Sequence, residues 1–572
     1  MEFFVREKWQ LSRSWQNFGF ALGLALLAGC SDQAKPSASS GGSGGSAIGG
    51  DAGATSGGAS GSSSPTGGAS GAAQGGDSGS GAATGGAMAG AGTSGSATGG
   101  VSGSAGEGGR AGGGGASGGV SGASGVSGMS GVSGAGSGGG AGSANGGKAG
   151  AGGTAPTVSE MVDIEDVFSG HPVNFALVTR DTRQFAAYYD ADRNMTVASR
   201  TLGSTTWTFK RLPSVLGWDS HNHVAMALDS ANLVHVSGNM HNVPLVYFRS
   251  AAAFDANGLV SAAMVGTNEQ SVTYPEFFAG PSNSLIFIYR DGGSGNGNHV
   301  FNRYASGSWT RLLGTPLTDG QGARNAYPVG PVQGPDGAFH LVWVWRDSPD
   351  ASTNHDISYI RSTNLTSWVA GNGSAVTLPI TLSTPNVIVD PVPVGMGMIN
   401  NNTKVGFDAQ GRPVVAYHKF ESASGPTQLY NARFEGGRWV VYETTDWTYR
   451  WNFGGQGTLV FAIELEGVRV RADGALVQDY YHSQHGGRGT LRLDPTTLHA
   501  VETLPPDTPY PRSLDTPESS TAGMIVRWAK DNGSGPDSAV KYMLRWETLA
   551  SNQDMPRPTI PPPTRLRVYG LR

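Results

Sequence analysis

A strand-and-turn unit that recurs seven times constrains this chain more than any other feature. Its apolar cores are Phe185-Ala-Ala-Tyr-Tyr189, Leu233-Val-His-Val236, Leu285-Ile-Phe-Ile-Tyr289, Phe339-His-Leu-Val-Trp343, Val414-Val-Ala-Tyr417, Leu476-Val-Gln-Asp-Tyr480 and Met524-Ile-Val-Arg-Trp528. Each is short, rich in β-branched and aromatic residues and preceded by a polar turn, which is the pattern of a β-strand. Each reads as the second strand of its unit. The cores start about 50 to 75 residues apart, the spacing of four-stranded propeller blades with loop insertions. Asp336-Gly337, Asp408-Ala-Gln-Gly411 and Asp473-Gly474 supply hairpin turns just before three of them. A β-sandwich or a parallel β-helix also yields many short strands. The count and the period favour an all-β, seven-bladed β-propeller over residues 157–572.

The rest of the chain is of another kind. Of its 91 glycines, most lie between Ser31 and Thr154, a stretch of Gly/Ser/Ala units without aromatic residues. Such a segment cannot bury enough apolar surface to offset the entropy of ordering, so residues 31–156 are expected to be a disordered tether. A Gly-rich coil of about 120 residues spans roughly 60 Å root-mean-square. Ahead of it, Arg6, Lys8 and Arg13 precede the apolar run Phe18–Leu27, the layout of a secretory signal. That run is too short for a stable membrane span. It ends in Leu27-Ala28-Gly29-Cys30, which resembles the lipobox of bacterial lipoproteins, where the cysteine is acylated and becomes the new N-terminus. Residues 1–30 thus read as a lipoprotein signal peptide with lipidation at Cys30. The expected address is the cell envelope, and Ser31 favours the outer membrane. Membrane contact is expected only through the lipid anchor.

Cys30 is the only cysteine, so the folded part has no disulfide and no thiolate metal site. The formal charge of −5 is mild and argues against nucleic acid as a partner. A monomer is expected.

Two polar clusters stand out. The first is Trp218-Asp-Ser-His221-Asn222-His223, followed by His235 and Gly238-Asn-Met-His241-Asn242. His235 lies inside a strand core and reads as structural, whereas His221 and His241 lie in loops at strand ends. The second is Ser271-Val-Thr-Tyr274-Pro275-Glu276-Phe277, then Tyr289-Arg290-Asp291-Gly-Gly-Ser-Gly295. A residue before proline favours extended backbone, so Tyr274 is expected to be extended. Arg290 closes a strand and opens a Gly-rich loop.

Together, His221, His241, Tyr274 and Arg290 match the catalytic pattern of the ulvan lyases of polysaccharide lyase families twenty-four and twenty-five. The resemblance is densest over residues 218–304 and includes Asn302-Arg-Tyr304. It implies a seven-bladed propeller that cleaves a sulfated, uronate-containing polysaccharide by β-elimination. His221 would take the C5 proton of a uronate, and Tyr274 would donate to the reacting centre or, for the opposite epimer, abstract from it. Arg290, with His241, would neutralise the carboxylate and stabilise the developing enediolate. A nearby Arg would ease formation of a Tyr274 phenolate. No cofactor is required for this chemistry.

Other polar residues read as substrate contacts: Asn222, His223, Asn242, Arg324, Tyr327, His418, His482 and Arg488, with Arg346 a weaker candidate. His482 and His485 lack a convincing third ligand, so a structural metal stays possible but unassigned. Arg361-Ser-Thr-Asn-Leu-Thr-Ser-Trp368 resembles a degenerate Asp box of sialidase-type blades, and Arg200-Thr-Leu-Gly-Ser-Thr-Thr-Trp207 is a fainter copy. A sialidase-like hydrolase is therefore one alternative, although no arginine triad is evident. A carbohydrate-binding or adhesive propeller on a stalk is another. A lyase of the same mechanism acting on a different uronate polymer is a third.

Overall fold

The computed structural model describes residues 156–572. The signal-like segment, Cys30 and the Gly/Ser/Ala stretch through residue 155 lie outside the described residues. Among the described residues there are seven antiparallel sheets of four to six strands and no α-helix.

The sheets follow chain order and close into a ring. The first strand of blade 1, Ala176–Arg180, contacts the blade-7 strands Met524–Lys530 and Lys541–Leu549. The outermost strand of blade 7 is Val158–Val167, paired antiparallel with the C-terminal strand Thr564–Leu571. Both ends of the described chain therefore share one sheet, and separating them would open the ring.

Six of the seven apolar cores are second strands of their sheets, as expected. The seventh is not. Met524–Lys530 is the first strand of blade 7, and Lys541–Leu549 is the second. The second strand is disguised because it carries Arg545 and Glu547, whose charges meet each other at 2.9 Å while almost fully buried. A paired charge satisfies itself inside a core where an unpaired one would not survive.

Second strands read as unbroken apolar runs because both faces are covered. Every residue of Phe339–Arg346 is buried, and Trp343 and Trp345 are fully so. Burying a large apolar side chain stabilises the fold by about 1.5–3 kcal/mol. The three expected hairpin turns lie between first and second strands of blades 4, 5 and 6. In each the Asp carboxylate accepts a downstream backbone N–H, from Ala338, Arg412 or Ala475. The Arg361–Trp368 segment likewise forms a side-chain-stabilised turn, with Asn364 accepting from Thr366 and Ser367 above a buried Trp368.

Candidate active site

His221, His241, Tyr274 and Arg290 line one cavity of about 470 Å³, whose other walls come from blades 3, 4, 6 and 7 and from the connections around Asn400 and Thr458. Each of the four is placed by a local irregularity. His221 sits in the connection between blades 1 and 2, in a turn where its own N–H donates to Asp219 Oδ1 at 2.9 Å. His241 opens the short strand His241–Val243, which adds to the blade-3 sheet beside Val272–Ala279.

Tyr274 departs from the extended geometry expected before proline. Its φ is +58°, in the left-handed region, and the ladder with Leu285–Asp291 breaks between Thr273 and Glu276. This is a β-bulge, which re-aims a side chain at the cost of local strain. It brings the Tyr274 ring to 5.7 Å from His221.

One carboxylate organises both histidines. Asp219 accepts from His221 Nδ1 at 2.7 Å and from His241 Nδ1 at 2.5 Å, and the two imidazoles stack at 4.2 Å. Burial alone would raise the Asp219 carboxyl, but the hydrogen bonds and charges of the two imidazoles hold it well below the usual carboxylate range. With Nδ1–H directed at Asp219, Nε2 is the lone-pair atom of each neutral ring. Asp219 was not singled out from the sequence, although it stands two residues before His221 in the same cluster.

Arg290 is buried and held by neutral acceptors, Gly292 O at 3.0 Å, Thr273 Oγ1 at 2.9 Å and the Tyr327 hydroxyl at 3.3 Å. Its guanidinium lies 5.1 Å from the Tyr274 ring centre. The expected easing of a phenolate is outweighed. Burial, then the neighbouring Tyr327, push Tyr274 above the ordinary tyrosine range, against the opposing pull of Arg290 and Arg346. Tyr274 is therefore a protonated phenol at neutral pH.

Two further candidates line the cavity. The Tyr327 hydroxyl meets Ser294 Oγ at 2.7 Å, besides its bond from Arg290. His223 faces two carbonyl oxygens, Pro275 O through Nε2 at 3.0 Å and His221 O through Nδ1 at 3.1 Å, and so ties the Tyr274–Pro275 bulge to the His221 turn; burial lowers its pKa.

Six expected substrate contacts do not line the cavity. Asn222 has a buried side-chain oxygen, and its carbonyl accepts from Tyr189. Asn242 is exposed, with a left-handed φ of +58°. Arg324 is engaged by Asp347 at 2.8 Å. Arg488 lies 5.8 Å from the Tyr481 ring centre. His418 is fully buried against Trp451 and Phe453, and burial pushes it down to about 3. His482 is fully buried against Trp447 and Tyr449, and burial with His485 takes it down to about 4. Both histidines are core residues.

The cavity also holds Arg346, Glu276, Glu464 and Arg527. Burial raises the Glu464 carboxyl to about 7, although Arg488 and Arg527 pull it down. Glu464 gives no signal in the sequence, and Arg527 is hidden inside an apolar strand core. Asp219, His221 and His241 are the one group among the described residues with ligand atoms close enough for a metal, within 4.8 Å. Their 2.5–2.7 Å contacts are hydrogen-bond distances, and as placed the set is a carboxylate shared by two imidazoles.

Residues 183–447 match the sequence profile of a family described as BNR repeat-containing family member. The ring of seven sheets makes the described region a seven-bladed β-propeller, and the profile match lies within it. No curated protein matches the chain. Among solved structures, the polysaccharide lyase Uly1 is similar with a TM-score of 0.47 and 13% identity, over 72% of this chain and 99% of its own. An ulvan lyase of polysaccharide lyase family 25 is similar with a TM-score of 0.48 and 14% identity, over 72% and 96%. An α-L-arabinanase from Penicillium chrysogenum is similar at 0.33 and 8%, over 61% and 92%.

Proposed function

We propose that this protein is a polysaccharide lyase that cleaves an anionic, ulvan-like uronate polymer by β-elimination. One observation carries the reading: His221, His241, Tyr274 and Arg290 share one cleft, where they would supply a base, an acid and a carboxylate-binding cation. His221 and His241 are oriented by Asp219, Tyr274 is kept as a phenol by burial, and Arg290 is buried beside it.

Arg290, helped by His241, binds the uronate carboxylate and stabilises the negative charge that spreads onto it. A preorganised donor of this kind lowers the barrier by about 3–4 kcal/mol. The Nε2 atom of His221 removes the C5 proton. The C5–H electron pair becomes the C4–C5 double bond, the C4–O4 bond breaks, and the leaving O4 takes the Tyr274 proton. His221 and Tyr274 then return to their starting protonation states through solvent. The enzyme works as a monomer without a cofactor, held in the cell envelope by a lipid on Cys30.

The test is the ultraviolet absorbance of the new conjugated double bond when the full chain is mixed with ulvan. A steady rise that His221→Ala and Tyr274→Phe abolish is the expected result. Tight binding of uronate polymers with no rise would make the protein a carbohydrate-binding propeller instead. A hydrolase reading has one observation of its own. Glu276 and Glu464 share the cleft, and a carboxyl near 7 suits a general acid.

A further inference from the structure

Blades 3 and 4 carry the same two-part motif. The first strand of each holds Tyr-Pro, Tyr274-Pro275 in one and Tyr327-Pro328 in the other, and Arg-Asp stands at the end of each second strand, Arg290-Asp291 within it and Arg346-Asp347 with the Asp just beyond it. The register differs by one residue: Thr273, next to Tyr274, lies opposite Arg290, and Asn325, two before Tyr327, lies opposite Arg346. Each Arg Nε donates at 3.0 Å to the carbonyl two residues on, Gly292 or Ser348. Each guanidinium lies near its own tyrosine, at 5.1 Å for Arg290 on Tyr274 and 5.4 Å for Arg346 on Tyr327. The two tyrosine rings are 6.2 Å apart.

We infer that Arg346 is a second oxyanion subsite beside Arg290, holding a sulfate ester or a further carboxylate on the sugar next to the reacting uronate. This rests on the lyase reading only for the identity of the first anion. Arg346 lines the cleft while 8% exposed, and Arg290 while 4% exposed. The hydrogen-bond acceptors of Arg346 are all neutral: Ser348 O, Pro349 O and Asn400 Oδ1. Neither guanidinium has an ion pair within 4 Å among the described residues. The acid that senses Arg346 is Asp350, and its carboxylate is already engaged by the N–H groups of Ser352 and Gly455.

Two desolvated cations without carboxylate partners are costly, and an arriving oxyanion relieves that cost. A planar guanidinium suits sulfate and carboxylate equally, since both offer two oxygens to its fork. The copies differ where reactivity is concerned. Tyr274 has His221 at its side, whereas the Tyr327 hydroxyl is taken by Arg290 and Ser294. The blade-4 copy therefore binds, and the blade-3 copy binds and reacts.

The experiment measures calorimetric binding of ulvan oligosaccharide, and of the same oligosaccharide chemically desulfated, to the full chain carrying His221→Ala to prevent turnover. Adding Arg346→Gln should weaken binding of the sulfated form about 10- to 100-fold, the loss of one charge-assisted contact. If the desulfated form is then nearly indifferent to the substitution, the anion is sulfate; if both forms weaken alike, it is a carboxylate. Arg346→Lys, which keeps the charge, should recover part of the loss. Inorganic sulfate should raise the melting temperature of the parent more than that of Arg346→Gln, where Arg290 alone is left to bind it, and the melting transition itself shows that the variant is folded. Folded Arg346→Gln binding both oligosaccharides within about 2-fold of the parent, less than one contact is worth, would overturn the inference. Because the readout is binding, it stands apart from any failure to see elimination.

Discussion

Blades 3 and 4 finish their second strands with Arg290 and Arg346 in the open cleft; blades 5 and 6 place His418 and His482 near the same strand ends, and both are sealed. The seal is the connection between Arg438–Glu443 and Ile463–Leu465. Its aromatic residues fall at every second position, Trp447, Tyr449, Trp451 and Phe453, so an extended chain presents them on one face. Trp451 and Phe453 cover His418, and Trp447 and Tyr449 cover His482. The same connection then turns to bound the cleft. Gly455 donates to Asp350 at 2.9 Å and Thr458 N to Asp554 at 2.8 Å. Gly457 has a φ of +78°, and a Cβ there would lie 2.7 Å from the Gln553 carbonyl oxygen, so this close crossing needs glycine. A polar residue at a propeller strand end is thus a site residue only if the neighbouring connections leave it open.

Four substitutions break or sharpen that contrast. On the open side, Asp219→Asn removes the acceptor that fixes both imidazole tautomers, and kcat should fall on the order of 10³–10⁴-fold. A loss below 10-fold, well short of a tautomer effect, would mean that the histidines orient themselves. Arg290→Gln should cost about 10²–10³-fold in kcat/KM, the worth of one preorganised donor; steady-state absorbance rates measure both. On the sealed side, Trp451→Ala should lower unfolding free energy by about 3–5 kcal/mol through the cavity it leaves. Urea titration checks this, and an unchanged midpoint would show that the aromatic seal contributes nothing.

His418→Leu should have the smallest effect, with kcat/KM within about 2-fold, as for a side chain away from the reacting centre. Its signature is in acid. The buried His418 titrates near 3 in the folded state, against about 6.5 unfolded. Between those values the unfolded chain binds more protons, so stability is lost as pH falls below about 6.5, by up to roughly 1.4 kcal/mol per unit. Removing the imidazole removes that loss and should shift acid unfolding to lower pH. A raised KM instead would return His418 to the substrate.

The ring and the open half of the site were legible in the sequence for related reasons. Second strands buried on both faces announce themselves as apolar runs, and consecutive blades bring sequence neighbours together. His221, His241, Tyr274 and Arg290 therefore share a cleft because the blades they border are adjacent. What escaped was cooperative. The strand Lys541–Leu549 hides behind its internal Arg545–Glu547 pair, and the left-handed Tyr274 is imposed by a bulge that overrides the preference before proline. Glu464 lines the cleft and Asp554 holds its lining residues Ser220 and Thr458, both from late in the chain, and no local pattern marks them. His418 and His482 were read as open because their covering aromatics lie in a different connection.

The most direct test of the central claim is digestion of ulvan by the full chain in heavy-oxygen water, followed by mass spectrometry of the fragments. Elimination by His221, Tyr274 and Arg290 predicts unsaturated ends that are one water lighter than hydrolysis products and carry no heavy oxygen. Fragments that gain heavy oxygen at the new end would contradict it and move the chemistry to Glu276 and Glu464.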